Sequence, residues 1–241
     1  MTETIYAIGD IHGQRALLEE ALSRIEADGG KDANIVFLGD YVDRGPDSKG
    51  VIDILCEGLA AGRNWTCIKG NHDRLFEWFV TPPAPRNDPH LLVGYHWFHP
   101  NLGGIETAAS YGLTVPERVR QSELAEEMRA LLPDGHLRFL QELKTFHRVG
   151  PLYFVHAGVR PGVPLEDQVE DDLVWIRQEF LMDQRDHGAF IVHGHTPVDT
   201  PDFRPHRLNL DTGAGYGRKL TAAAFEGDKV FILTPSGRVR L

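Results

Sequence analysis

Ile35-Val36-Phe37-Leu38 runs directly into Gly39-Asp40-Tyr41-Val42-Asp43-Arg44-Gly45. Four apolar residues stopped by a Gly-Asp pair read as a strand buried on both faces, as in a parallel sheet covered by helices. In open α/β sheets ligands bind at the carboxyl ends of the strands, so an acid placed straight after one points into the common crevice. Asp40 is therefore the residue around which a site would be built. The same grammar returns at Ile5-Tyr6-Ala7-Ile8 with Gly9-Asp10-Ile11-His12-Gly13, and at Trp65-Thr66-Cys67-Ile68 with Gly70-Asn71-His72-Asp73. It appears again at Leu152-Tyr153-Phe154-Val155 with His156-Ala157-Gly158, and at Phe190-Ile191-Val192 with His193-Gly194-His195-Thr196. Strand ends of this kind would bring Asp, His and Asn to one place.

At 241 residues the chain suits one large domain or two small ones, and roughly 70% of its unfolded surface can be buried. The 41% apolar and 25% charged shares are those of a globular protein. No apolar run nears the roughly 18 residues of a membrane helix. Met1-Thr2-Glu3-Thr4 lacks the basic start of a secretory leader, and the first strand follows at once, so a cytoplasmic protein is expected. Cys56 and Cys67 are expected to be reduced thiols. With 25 Lys plus Arg against 35 Asp plus Glu, the net charge of -10 argues against a nucleic-acid partner. Nothing indicates an obligate protein partner. Among 12 histidines, His12, His72, His156 and His195 follow strands, which favours metal ligation over pH sensing.

Strand and helix alternate through the first third. Leu17, Leu18, Ala21, Leu22 and Ile25 lie at helical spacing and Asp28-Gly29-Gly30 stops them. Asp47-Ser48 opens a second helix and Asn71 a third. Four prolines between Thr81 and His90 exclude helix and central strand there, leaving a loop or lid. From Leu91 to about Phe146 the pattern is mostly helical, so one domain over residues 1–241 with a helical insertion at about 81–146 is expected. Strands at 189–193, 207–211, 220–225 and 230–233 follow, and a layered α/β sandwich is implied.

If strand geometry persists through Ile11, Asp10 and His12 leave the same face, as two ligands of one ion must. Asp40 has two oxygens that can each serve a different ion. Asn71 offers an amide oxygen, and His156 and His195 offer imidazole nitrogens, a set suited to Mn, Fe or Zn. Six ligands sharing one carboxylate describe two metals, which together generate a hydroxide near neutral pH. Arg44 stands close enough to Asp40 to meet phosphoryl oxygens, and His72 remains as an acid for the leaving group.

At these blocks the chain resembles the phosphoprotein phosphatases of the calcineurin-like metallophosphoesterases, especially their short bacterial and phage serine/threonine phosphatases. The likeness continues through Leu173-Val174-Trp175-Ile176-Arg177, His193-Gly194-His195-Thr196-Pro197 and Leu210-Asp211-Thr212-Gly213-Ala214. It implies the family's sandwich of two central mixed β-sheets flanked by α-helices, and two divalent metal ions per chain, manganese first with iron or zinc as alternatives. It implies Asp10, His12 and Asp40 on the first metal, and Asp40, Asn71, His156 and His195 on the second. It implies His72 as general acid oriented by Asp43, with Arg44, Arg177 and Asn71 at the substrate phosphate. Direct attack of a dimetal-bridging hydroxide on phosphoserine or phosphothreonine is the expected reaction, and hydrolysis of a dinucleoside polyphosphate is the alternative. The substrate is thus a phosphoprotein or a phosphorylated small molecule.

The chain departs from the pattern in places that bear on substrate. Phe98-His99-Pro100-Asn101-Leu102 is longer than the family's stretch before Gly103-Gly104, Asp73 replaces a usual Glu, and 81–90 has no counterpart. Singly, Asp10, Asp40 or Asn71 would be caps or turn residues; five blocks in family order make the joint reading catalytic. His193 is read as structural or supporting, and Asp211 as ordering either the site or a turn. A metal-holding scaffold without catalysis would need a missing ligand or acid, and all are present.

Overall fold

The computed structural model describes residues 4–83, 85–118 and 120–241. One sheet contains β1 (Ile5–Ile8), β2 (Asn34–Phe37), β3 (Trp65–Cys67), β9 (Ala222–Glu226), β10 (Lys229–Thr234) and β11 (Gly237–Arg240), in the order β11-β10-β9-β1-β2-β3. The other contains β4 (Phe146–Val149), β5 (Leu152–Val155), β6 (Phe190–His193), β7 (Asp202–Arg204) and β8 (Arg207–Asn209), in the order β4-β5-β6-β8-β7. Both are mixed: β1, β2 and β3 are parallel with β9 antiparallel beside β1, and β5, β6 and β8 are parallel with β4 and β7 antiparallel at the edges. This is the expected pair of mixed sheets flanked by helices.

Alternation along each strand explains the layering. Ile5 and Ala7 of β1 pack with Val36 and Leu38 against Phe154, Val192 and Leu208 of the facing sheet. Tyr6 and Ile8 point the other way, into a core closed by Leu18, Ala21 and Ile25 of α1 (Arg15–Gly29) and Val51, Ile52 and Leu55 of α2 (Ser48–Ala60). With both faces covered, every residue of β1 and β5 is buried, so these strands read as unbroken apolar runs. Each such Leu or Ile contributes about 1.5–3 kcal/mol on burial. Gly30 at φ 80° terminates α1, and the Asp47 carboxylate caps α2 by accepting from Gly50 N–H at 2.8 Å.

α3 (Asn71–Val80) begins where expected. Between it and β4 come α4 (Gly104–Ser110), α5 (Gln121–Leu131) and α6 (Asp134–Glu142), so the helical stretch stops short of Phe146, which starts an edge strand. α7 (Glu170–Trp175) and α8 (Gln178–Leu181) cover the outer face of the second sheet through Leu173 and Phe180. The short strands β4, β7 and β11 carry no clean apolar alternation and are not legible in the sequence. Cys56 and Cys67 are free thiols. Among the described residues, no helix is long and apolar enough to cross a membrane. The carboxyl ends of β1, β2, β3, β5 and β6 carry the loops that build the site.

Candidate active site

The loops after β1 and β2 are laced together. Ile11 and His12 N–H donate to the Asp40 carbonyl at 3.1 and 2.7 Å, and Gly13 N–H to that of Tyr41 at 2.8 Å. Asp73 in the first turn of α3 then accepts from the backbone N–H groups of Asp40, Tyr41 and Gly70 at 2.8, 2.9 and 2.9 Å. So secured, the backbone holds conformations it would otherwise avoid: His12, Asp40, Asp43, Arg44 and His195 sit at φ 48°, 52°, 72°, 69° and 69°. These are the non-glycine residues of positive φ among the described residues, and such strain persists where the surroundings dictate it. One expectation falls here. β1 ends at Ile8 and His12 turns into the left-handed region, so strand geometry does not persist through Ile11 to set Asp10 and His12 on one face.

Hydrogen bonds select which imidazole nitrogen faces inward. His12 Nδ1 donates to the Val42 carbonyl at 2.9 Å and His156 Nδ1 to that of Leu38 at 2.8 Å, leaving each Nε2 as a lone-pair donor. His12 Nε2 lies 3.4 Å from Asp40 Oδ2, and His156 Nε2 3.5 Å from Asp40 Oδ1. His156 Nε2 also lies 3.1 Å from Asn71 Oδ1 and 3.2 Å from His195 Nδ1. The donor atoms of His12, Asp40 and His72 fall within 4.8 Å of one another, and so do those of Asp40, His156 and His195. Asp40 is common to both groups. Asp10 belongs to neither at that spacing; its Oδ2 accepts from His195 N–H at 2.9 Å while its buried Oδ1 has no partner, and His195 Nε2 is likewise unpartnered.

Burial, reinforced by Arg44, lowers the His12 pKa, and burial with neighbouring His156 lowers that of His195. Burial also lowers that of His156. Asp10 is raised by burial, then by Asp211 and Asp40. Burial opposes ionisation of Asp40 too, but His156, His72, His12 and His195 outweigh it and hold its carboxyl below the usual range. Buried carboxylates among imidazoles, with Asp10 Oδ1 and His195 Nε2 left unpartnered by the protein, fit divalent cations of the Mn, Fe and Zn kind.

Beside these donors lies a polar chain. His72 Nδ1 bonds Asp43 Oδ2 at 2.7 Å, and Asp43 Oδ1 accepts from Trp97 Nε1 at 3.0 Å and Thr107 Oγ1 at 2.8 Å. Ser48 Oγ accepts from Asp43 N–H at 3.1 Å. Arg44 reaches back so that Nη1 lies 2.6 Å from His12 Nε2 and Nη2 3.1 Å from His72 Nε2. Arg177 approaches from the other side, donating to the His195 carbonyl and Thr196 Oγ1 at 3.2 Å each. His193 stays apart, buried against Phe180 and Arg207, its pKa driven down to about 3 by burial. Asp211 accepts from Gly213 N–H at 2.9 Å, a turn role, and its charge bears on Asp10.

The supporting roles of Trp97 and Thr107 lie too far from Asp43 in sequence to be read from it, and Ser48, nearby, reads only as a helix start. Asp73 had a local signal, an acid in the first turn of a helix. The proline-rich loop is also anchored: Asp88, buried, accepts from Arg74 Nε at 2.8 Å and Trp175 Nε1 at 3.1 Å. It is therefore tied to both α3 and α7.

The model of the calcineurin-like phosphoesterase family matches residues 3–224. The chain belongs to this family. Among curated relatives, bis(5'-nucleosyl)-tetraphosphatase PrpE of Geobacillus thermodenitrificans is 28% identical over 253 residues, covering 90% of this chain and 89% of that protein. PrpE of Bacillus mycoides is 26% identical over 241 residues with the same coverage. The crystal structure of the cold-active protein-tyrosine phosphatase of a psychrophilic Shewanella superposes with a TM-score of 0.67 at 15% identity, covering 99% of this chain and 80% of that one. That likeness is one of fold.

Proposed function

We propose that this phosphoesterase hydrolyses dinucleoside polyphosphates. The observation that carries the substrate is the near full-length likeness to tetraphosphatases named PrpE, at 26–28% identity over 90% of the chain. It supports the dinucleotide alternative over the phosphoprotein substrate expected from sequence, for which the Shewanella likeness argues through fold alone.

In this reading Asp10, His12 and Asp40 hold one divalent ion, and Asp40, Asn71, His156 and His195 the other. Bound there, the ions would supply Lewis-acid charge to the phosphoryl oxygens and a water-derived nucleophile at neutral pH. The chain's own groups do the rest. Arg44 leaves His12 and His72 to grip the phosphoryl group, with Arg177 and the Asn71 amide opposite. His72, held through Nδ1 by Asp43, would offer Nε2, once Arg44 has left it, as the proton donor for a leaving oxygen that needs one. The geometry groups His72 with His12 and Asp40; in this reading His72, oriented by Asp43, is the acid and Asp10 takes the ligand place beside His12 and Asp40. We also read residues 1–241 as one catalytic domain with a mainly helical insertion at about 81–146, because Trp97 and Thr107 reach Asp43 from that stretch.

The test is parallel steady-state kinetics with manganese on diadenosine tetraphosphate and on a phosphothreonine peptide. kcat/KM for the dinucleotide is expected to exceed that for the peptide at least tenfold. A tenfold preference for the peptide overturns the substrate assignment.

A further inference from the structure

Arg44 does not end in solvent. Its guanidinium carbon lies 4.8 Å from the ring centroid of Tyr216, which is 59% exposed. Tyr216 closes a single helical turn, Ala214–Tyr216, bracketed by Gly213 and Gly217 at φ 83° and 75°. That turn is fixed to the metal-ligand candidates, since a Cβ on Gly215 would stand 2.6 Å from His12 Cδ2. Facing it across a cleft of about 390 Å³ is the 100–103 loop, whose Gly103 carbonyl accepts the Arg44 N–H at 3.1 Å. The cleft lies within the roughly 300–1,000 Å³ typical of small-molecule sites and opens on Arg44.

We propose that Tyr216 is the stacking platform for a purine base of the substrate, in a subsite formed by Tyr216, Asn101 and Glu106. An exposed aromatic face whose neighbour binds phosphate suits a nucleotide, because a base stacks on the ring while its phosphate stays on the arginine. The opposite wall selects by hydrogen bonding. Asn101 Nδ2 donates to Tyr95 Oη at 3.0 Å, which leaves Asn101 Oδ1 as an acceptor, and the Glu106 carboxylate is a second. Two acceptors suit a base edge that carries an exocyclic amine. The subsite also accounts for the longer 98–102 segment, which supplies the wall. This rests on the dinucleotide reading above and deepens it by naming the group that recognises the nucleoside.

The test is calorimetric titration of the manganese-loaded protein with adenosine 5'-monophosphate and with ribose 5-phosphate, which differ only in the base. The nucleotide is expected to bind roughly 5- to 150-fold more tightly, the usual worth of one stacked base. Tyr216→Leu should bring the two within about twofold, and Tyr216→Trp should keep the gap, which separates stacking from any shared loss through Arg44. Equal binding of the two ligands by the unaltered protein, or a gap that survives Tyr216→Leu, overturns the proposal. Turnover of diadenosine tetraphosphate is scored separately: turnover without a base advantage sinks the subsite alone, and a base advantage without turnover sinks the substrate reading alone.

Discussion

Asp43→Asn changes one oxygen to an amide group and should dismantle the acid without touching a proposed metal ligand. The carboxylate is fully buried and meets three donors: His72 Nδ1 at 2.7 Å, Trp97 Nε1 at 3.0 Å and Thr107 Oγ1 at 2.8 Å. An amide has one acceptor oxygen. Turned toward His72, it sets its NH2 against the Trp97 N–H. Turned toward Trp97, it sets the NH2 against His72, forces the other tautomer and disfavours the imidazolium. Either way a buried donor loses its acceptor at about 1–3 kcal/mol, or roughly 2–12 °C in Tm for a chain of this size. The catalytic cost depends on the leaving group. An alkoxide needs the proton, so kcat on an alkyl phosphate should fall by roughly 10²–10⁴-fold. Phenolates and nucleotide phosphates leave almost unaided, so aryl phosphates and diadenosine tetraphosphate should lose at least tenfold less. Steady-state rates on the three substrates, with thermal melts of both proteins, read this directly. An equal loss on all three would refute the acid role, and an unchanged Tm would refute the buried-donor reasoning.

Asp88→Ala takes the buried carboxylate from Arg74, 1% exposed, which keeps Asp171 at 2.7 Å, so the loss is that of a hydrogen bond to a charged group, about 1.5–3 kcal/mol; differential scanning calorimetry should show a Tm drop of roughly 3–12 °C, and an unchanged Tm would mean the loop is not held this way. Asp211 is pushed up from 3.8 to about 6 by burial, so its folded pKa exceeds its unfolded one. The protonated form then stabilises fully below pH 3.8, and this stability is lost as pH rises through about 6. In protein stripped with EDTA, Asp211→Asn should therefore melt higher than the parent at pH 7.5, by on the order of 3 kcal/mol at most, with the gap closing near pH 4; a gap independent of pH counts against it.

The central strands, α1 to α3 and the residues at the strand ends were legible because each obeys a local rule. Ile35 to Leu38 is apolar on both faces because both faces are covered, and Asp40, Asn71, His156 and His195 each follow such a run directly. What stayed hidden depends on tertiary contacts. Trp97 and Thr107 meet Asp43 across more than fifty residues, and no periodicity encodes that meeting. β7 and β11 are short, half-exposed edges whose pairing is set by their neighbours. The 81–90 segment reads as free because prolines forbid regular structure, yet the single buried charge of Asp88 fastens it. Asp10 and His12 do not share a strand face: a left-handed backbone at His12, its N–H held by the Asp40 carbonyl, turns the chain where a strand was expected to continue.

Asp40 is the carboxylate common to both donor groups, so metal stoichiometry tests the centre most directly. After manganese loading and exhaustive dialysis, elemental analysis of the unaltered protein should find two divalent ions per chain, and Asp40→Ala should hold one or none while its far-ultraviolet circular dichroism stays that of the parent. Two tightly held ions in Asp40→Ala, or fewer than two in the unaltered protein, would contradict a dinuclear site bridged by Asp40.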